Sequence, residues 1–261
     1  MVDLSFTLFT FEHFLLILVR VTAFVAVAPF FSTRNVPRMA KVGLSALISI
    51  LLMNVVDFSG IPYYDTSIGY GVLVVKEVCV GLFIGFGANV CNYIVLFAGN
   101  QIDTHMGLAM ATEYDPQNGV QSTLTSTFYN YVLLLLLIVS DMYQFILRAF
   151  VDSYQVVPIA GAVFNWDSLM ASFVSFIIQL FSIAFRITLP IFSCIMILNC
   201  VLGIMARVAP QMNMFAIGIQ IKVLTGYVLL FLTIVLIPKM AEMVFTEMRI
   251  MIVSMIEGMM P

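Results

Sequence analysis

Apolar residues run almost unbroken along this chain, and short polar interruptions divide them into six stretches, at about residues 12–31, 42–58, 68–98, 125–147, 171–205 and 223–238. A helix needs about 20 residues to cross roughly 30 Å of hydrocarbon, so the pattern predicts an all-α, polytopic membrane protein with about six long hydrophobic helices joined in hairpins. Their unequal lengths carry information. As one helix, the stretch from 171 to 205 would be roughly 50 Å long at about 1.5 Å per residue, which overshoots a bilayer even when tilted. It therefore breaks near Pro190 or projects out of the membrane. The first stretch ends in Ala26-Val27-Ala28, which looks like a signal-peptidase site, but Asp3 and Glu12 precede it and no basic residue comes before Arg20. A secretory signal begins with a basic region. Residues 12 to 30 are read as a retained first membrane helix.

Polar residues inside the fifth stretch are periodic. Ser172, Ser175, Gln179, Ser182, Arg186 and Ser193 recur at helical spacing and share one face. Bare lipid would strip these groups of water without replacement, so the seam should face protein or water. Arg186 should pair with an acid, Asp141 or Glu77 within this chain, or open onto an aqueous passage; the alternative is a side chain that snorkels to the interface. In the third stretch Gly81 and Gly85 form a Gly-xxx-Gly step that lets a neighbouring helix approach closely. The adjacent Lys76 and Glu77 point in different directions and should reach separate partners.

Composition sharpens this picture by exclusion. With 62% hydrophobic and 10% charged residues the chain lies outside ordinary globular composition, and a net charge of -3 with 11 Lys+Arg offers no surface for nucleic acid. Cys79, Cys91, Cys194 and Cys200 lie within apolar stretches at spacings that fit neither a zinc site nor a disulfide framework, and they read as packing residues. His13 and His105 are far apart, and no HExxH, GxSxG or phosphate-cradling glycine loop occurs. We expect no enzyme, no cofactor and no metal. Most of the 18 methionines, seven of them from Met240 to Met260, read as flexible gap fillers in a core, and Met106 and Met110, beside Gly107, read as a compliant seal.

Charge also orients the chain. Arg34, Arg38 and Lys41 follow the first stretch, and Arg207 and Lys222 flank the link between the last two, so both links read as cytoplasmic. Both termini then lie outside. Alternation puts residues 99–124 inside as well, yet that link has no Lys or Arg and carries Asp103, Glu113 and Asp115. Either a short acidic link has no bearing on topology, or "GNQIDTHMGLAMATEYDPQNG" re-enters the protein and lines a cavity, where irregular backbone is tolerated at membrane depth.

That stretch and "ARVAPQMNMFAIGIQIK", residues 206–222, together resemble the FliR family of the flagellar type III export gate and its injectisome counterparts. The second is the more specific, because Arg, Pro-Gln and Asn-x-Phe at these spacings are unusual between membrane helices. The resemblance covers essentially the whole chain in length, order of stretches and position of links. It departs from the family's pattern at Gln220, where many members carry proline, and near Asp141-Met142, where many carry Gly-His.

The resemblance implies a core component of the export gate in the bacterial inner membrane and flagellar basal body, forming part of the channel through which unfolded substrates cross. Such a component assembles helically with two smaller membrane proteins, FliP-like and FliQ-like, meets an FlhB-like switch protein and other export-apparatus proteins, and stands partly above the bilayer. By the same resemblance, residues 1–170 would be built like one small partner and contain the plug at about 99–124, with Met106, Gly107, Met110, Asp115 and Pro116 as its candidate residues. Residues 171–261 would be built like the other, a helical hairpin with a cytoplasmic tip at 206–222 and a Met-rich tail. Arg207, Pro210, Gln211, Asn213, Phe215 and Lys222 are the candidate tip residues, and Ser175, Gln179, Ser182 and Arg186 the intramembrane polar seam. An injectisome homologue is the near alternative. A small-solute secondary transporter is the alternative from another class; it would favour an inverted repeat, which the two halves do not display.

Overall fold

The structure is a computed structural model that describes residues 8–29, 31–32, 36–56, 67–108, 112–115, 120–209, 211 and 213–261. Helices account for nearly all of it: α1 (Leu8–Val27), α2 (Arg38–Leu52), α3 (Ser67–Met106), α4 (Leu124–Val139), α5 (Met142–Val156), α6 (Trp166–Val208), α7 (Met214–Thr233) and α8 (Ile237–Glu257). A three-residue 3-10 turn, Ile234–Leu236, joins the last two. One antiparallel ribbon, β1 (Thr112–Asp115) with β2 (Val120–Thr123), interrupts the all-α pattern, with Thr112 opposite Thr123 and Asp115 opposite Val120.

Among the described residues four helical stretches are long and apolar enough to cross a membrane, or five if α4 and α5 together make one span, against the six predicted. Three of the predicted spans change. The second becomes α2, whose 15 residues reach about 22 Å at 1.5 Å per residue, short of the hydrocarbon thickness. It packs on α1 and turns its serines inward, while Met39, Val42, Leu47 and Ile50 are exposed. Ser45 and Ser49 bond back to the carbonyls of Lys41 and Ser45 at 2.8 and 2.7 Å, so their burial leaves no hydroxyl unsatisfied. The fourth span is broken at Ser140–Asp141, where Asp141 takes a left-handed φ of 55° that no continuing helix allows. The sixth extends through the 3-10 turn into α8, so the Met-rich tail is helical. Met248, Met251, Met255 and Met259, spaced at helical intervals, are all buried there as gap-filling core residues.

The long fifth stretch is a single helix of 43 residues with Pro190 inside it, about 64 Å at 1.5 Å per residue. No break occurs at the proline. Of the two expectations, the helix that outreaches a bilayer is the one observed, and α3, with 40 residues, does the same.

The chain divides into two compact units. The first comprises Met1–Val90, Asp141–Phe176 and Met248–Pro261; the second comprises Cys91–Ser140 and Ile177–Glu247. In the first unit α1 and α3 pack through the Gly81-xxx-Gly85 step. A Cβ on Gly81 would collide with the carbonyl oxygen of Arg20 and lie 2.9 Å from the Ala23 side chain, and one on Gly85 would lie 3.1 Å from the Phe24 oxygen. Phe24 and Phe150 stack at 4.2 Å between centroids, and Ser172 and Ser254 share a hydrogen bond of 2.5 Å. In the second unit α6 lies along the end of α3, through Phe97 and Phe181 with centroids 5.2 Å apart and His105 and Phe192 at 4.7 Å. There α7 folds back on α6, so that a Cβ on Gly218 would meet the Leu202 side chain at 3.4 Å.

Candidate functional site

The candidate plug stretch is more helical than its polar sequence suggests. Residues 99–106 continue α3, which ends at Met106, fully buried, and Gly107 then leaves the helix with φ 81°. That left-handed value suits glycine, and it turns the chain out of the helix toward the ribbon. Asp115 closes β1, while Met110 and Pro116 lie outside the described residues. The chain returns at Thr123, directly ahead of α4.

Both ends of this excursion are fastened together by residues that the sequence pattern did not single out. Asp103 is fully buried; its Oδ2 accepts from the backbone N–H of Thr125 at 2.8 Å and its Oδ1 from the Thr125 hydroxyl at 2.5 Å. One turn earlier, Asn100 Oδ1 accepts from the Thr123 hydroxyl at 2.9 Å and from its N–H at 3.4 Å. The Ser126 hydroxyl donates to the Leu96 carbonyl at 3.2 Å. Asp103 thus does for the first turn of α4 what a capping side chain normally does from within the helix's own start. Their signal was legible: Asn100 and Asp103 are three apart near the end of α3, and a Thr-rich segment opens α4.

The tip follows α6. Arg207 is exposed in the last turn, and the helix ends at Val208. Gln211 and Asn213 are exposed, and Lys222 is half-buried on α7. Asn213 caps α7, its Oδ1 accepting from the Ala216 N–H at 3.4 Å. Phe215 belongs to the first turn of α7. Pro210 and the Phe215 side chain lie outside what the structure describes.

The seam divides along its length. Ser172, at its start, is buried against Ser254, whereas Ser175, Arg186 and Ser193 are exposed and Gln179 and Ser182 half-buried. Ser193 bonds back to the Leu189 carbonyl at 2.8 Å. The two acids expected near Arg186 both have partners within their own unit. Asp141 accepts from the Gln144 side chain at 3.3 Å, and Glu77 is taken by Arg20, its Oε2 lying 3.3 Å from Arg20 Nε with both side chains fully buried.

That pair is the larger surprise, because in the sequence Arg20 stands out only as the first basic residue of the chain. Both terminal nitrogens of its guanidinium donate to the Val157 carbonyl at 3.0 and 3.1 Å, and Arg20 Cζ lies 4.4 Å from the centre of the Tyr154 ring. Glu77 Oε1 accepts from the N–H of Ala160, a residue at φ 64°. The two charges therefore staple α1 and α3 to the link between α5 and α6. Lys76, next to Glu77 in sequence, is half-buried. Cys91 is buried and Cys200 exposed, so only some of the cysteines pack within this chain. Among the described residues no group of three or more His, Cys, Asp or Glu side chains could hold a metal ion.

Residues 11–248 match the family model described as "Bacterial export proteins, family 1". The chain is 30% identical over 238 residues to the flagellar biosynthetic protein FliR of Bacillus subtilis (strain 168), covering 90% of this chain and 91% of that one. It is 29% identical to the protein of the same name from Pectobacterium carotovorum subsp. carotovorum, over 88% of this chain and 87% of that one. The corresponding protein of Escherichia coli (strain K12) is 27% identical, again over 88% and 87%.

Proposed function

The chain belongs to the FliR family of bacterial export proteins, and from that premise we propose that it forms part of the wall and closure of a protein-export channel. It is a component of the flagellar export apparatus and works with other proteins of that apparatus. The finer reading is that it sits in the bacterial inner membrane within the basal body, joins FliP-like and FliQ-like membrane proteins and meets an FlhB-like switch protein. In that assembly residues 1–170 match one small companion in build and residues 171–261 the other.

The observation that carries this reading is the excursion between α3 and α4. A polar segment leaves a buried helix end at Met106–Gly107, forms a short ribbon and returns to a start fixed by Asp103. Its base is held by buried bonds, which suits a segment that blocks a passage while its helices stay packed. The exposed half of the seam supports the same reading from another side. Arg186 on a long apolar helix needs an acidic or aqueous neighbour, and a companion subunit or a water-filled conduit supplies one. The tip residues Arg207, Pro210, Gln211, Asn213, Phe215 and Lys222 then border the cytoplasmic entrance. Unfolded substrates pass through the centre, driven by an energy source elsewhere in the apparatus.

Shortening residues 107–117 tests the plug directly. In cells or vesicles holding the chain with its companions, the shortened complex should assemble in normal yield and leak a small impermeant dye. A complex that assembles and stays as tight as the unaltered one contradicts the assignment.

A further inference from the structure

Within the second unit, the end of α3 is held from a direction that the plug reading does not require. Met106 is fully buried, and its side chain lies against Gly226 in the middle of α7, the returning arm of the hairpin. A Cβ on Gly226 would collide with the Met106 methyl and stand 2.6 Å from its Cγ and 2.7 Å from its Sδ. These distances are shorter than non-bonded carbon and sulfur tolerate. Because the clash reaches the stem of Met106 as well as its flexible end, and because that side chain is enclosed, it cannot simply swing aside. Met106 is also the residue directly before the left-handed Gly107, where the plug departs.

On the other side of the excursion, Asn100 and Asp103 bind Thr123 and Thr125, which fixes the return point to the same helix end. The two ends of the plug are thus tied to each other by hydrogen bonds and to α7 by shape.

We propose that Gly226, with Asp103, is a positioning residue of the closure: the notch at Gly226 seats Met106 and the Asp103 clamp fixes the return strand, so that the returning arm of the hairpin sets where the plug begins. This rests on the plug reading above, and it adds that the tip and the plug, more than 80 residues apart in sequence, are mechanically coupled through one van der Waals contact. A displacement of α7 is transmitted to the plug base without any change in the plug itself.

The test uses the complex of the full chain with its companion membrane proteins in vesicles loaded with a small impermeant dye, with leak expressed per recovered complex. Gly226→Ala overpacks the notch and should raise leak roughly tenfold at unchanged recovery. A residue that only supports the fold would lower recovery and leave leak per complex alone. Met106→Ala should also leak, and because both changes act at one contact, the double variant should leak no more than the worse single one. A Gly226→Ala complex as tight as the original, or single effects that multiply in the double variant, overturns the inference. If Gly226→Ala does not assemble, Thr125→Val carries the test, since it removes only the hydroxyl donated to Asp103: raised leak supports the clamp, and an unchanged seal overturns it. Shortening residues 107–117 separates the two levels. A leaking deletion beside a tight Gly226→Ala complex ends this inference and spares the plug, whereas a tight deletion ends the plug reading itself.

Discussion

Arg20 in α1 and Arg186 in α6 each lie well inside a long apolar helix, and their surroundings are opposite. Arg20 in α1 is fully buried, paired with Glu77, bonded twice to the Val157 carbonyl and set against the Tyr154 ring. Arg186 in α6 is exposed on a face it shares with Ser175 and Ser193. Removing a charge from water is costly in both places, and among the described residues Arg20 has its partners within its own unit while Arg186 has an exposed side chain. Where the partners are internal, the charge holds a fold together. Where they are not, the proposed assembly supplies a companion or a conduit.

The contrast is broken most severely by Glu77→Ala, which leaves the Arg20 guanidinium buried without its carboxylate. A loss of about 3–5 kcal/mol is expected, read as collapse of thermal and protease resistance of the purified complex. Replacing both residues, Arg20→Met with Glu77→Leu, should restore most of that resistance, because a buried pair exchanged for apolar groups of similar size is often neutral. If the double replacement is as damaging as the single one, the Val157 and Ala160 bonds matter more than the charges do.

A smaller effect is expected at the tip. Asn213→Ala removes the α7 cap at a cost of about 1 kcal/mol, and Asn213→Asp should recover it. The readout is the melting temperature of the complex. Equal melting of all three would place the cap outside the stabilising interactions of α7.

Arg186→Met should change stability least, within about 0.5 kcal/mol, as surface substitutions usually do. Recovery of the chain with its companions, or export through the complex, should nevertheless fall. An unaltered yield together with normal export would make Arg186 a lipid-facing side chain that snorkels, and the comparison with Arg20 would lose its meaning.

Much of the architecture was readable from periodicity. The seam residues fall on one face of α6, the Gly81-xxx-Gly85 step marks a close approach of a neighbouring helix, which is α1, and Met248, Met251 and Met255 sit at helical intervals on the buried side of α8. The misreadings share a physical cause, since run length measures only how apolar a segment is. It does not register that Asp141 would adopt a left-handed backbone and split a span, or that α2 is too short to cross. Nor does it reveal which polar group in an apolar run has a partner. Arg20 follows Leu16 by four residues and precedes Phe24 by four, all on the buried face, and Glu77 stands likewise between Leu73 and Val80. Reading each charge against the buried stripe of its own helix would have nominated this pair. Asp103 is legible in the sequence only as one of three acids in a link, because the apolar pattern does not register that this part of the link is the end of a helix.

The central claim is that the exposed part of the α6 seam faces protein or water inside an assembly. A photoreactive amino acid placed at Arg186, in cells that carry the complete export apparatus, tests it most directly. The predicted result is a covalent adduct with a companion membrane protein or with an export substrate arrested in transit. Adducts with lipid alone, from a complex that still exports, would contradict it.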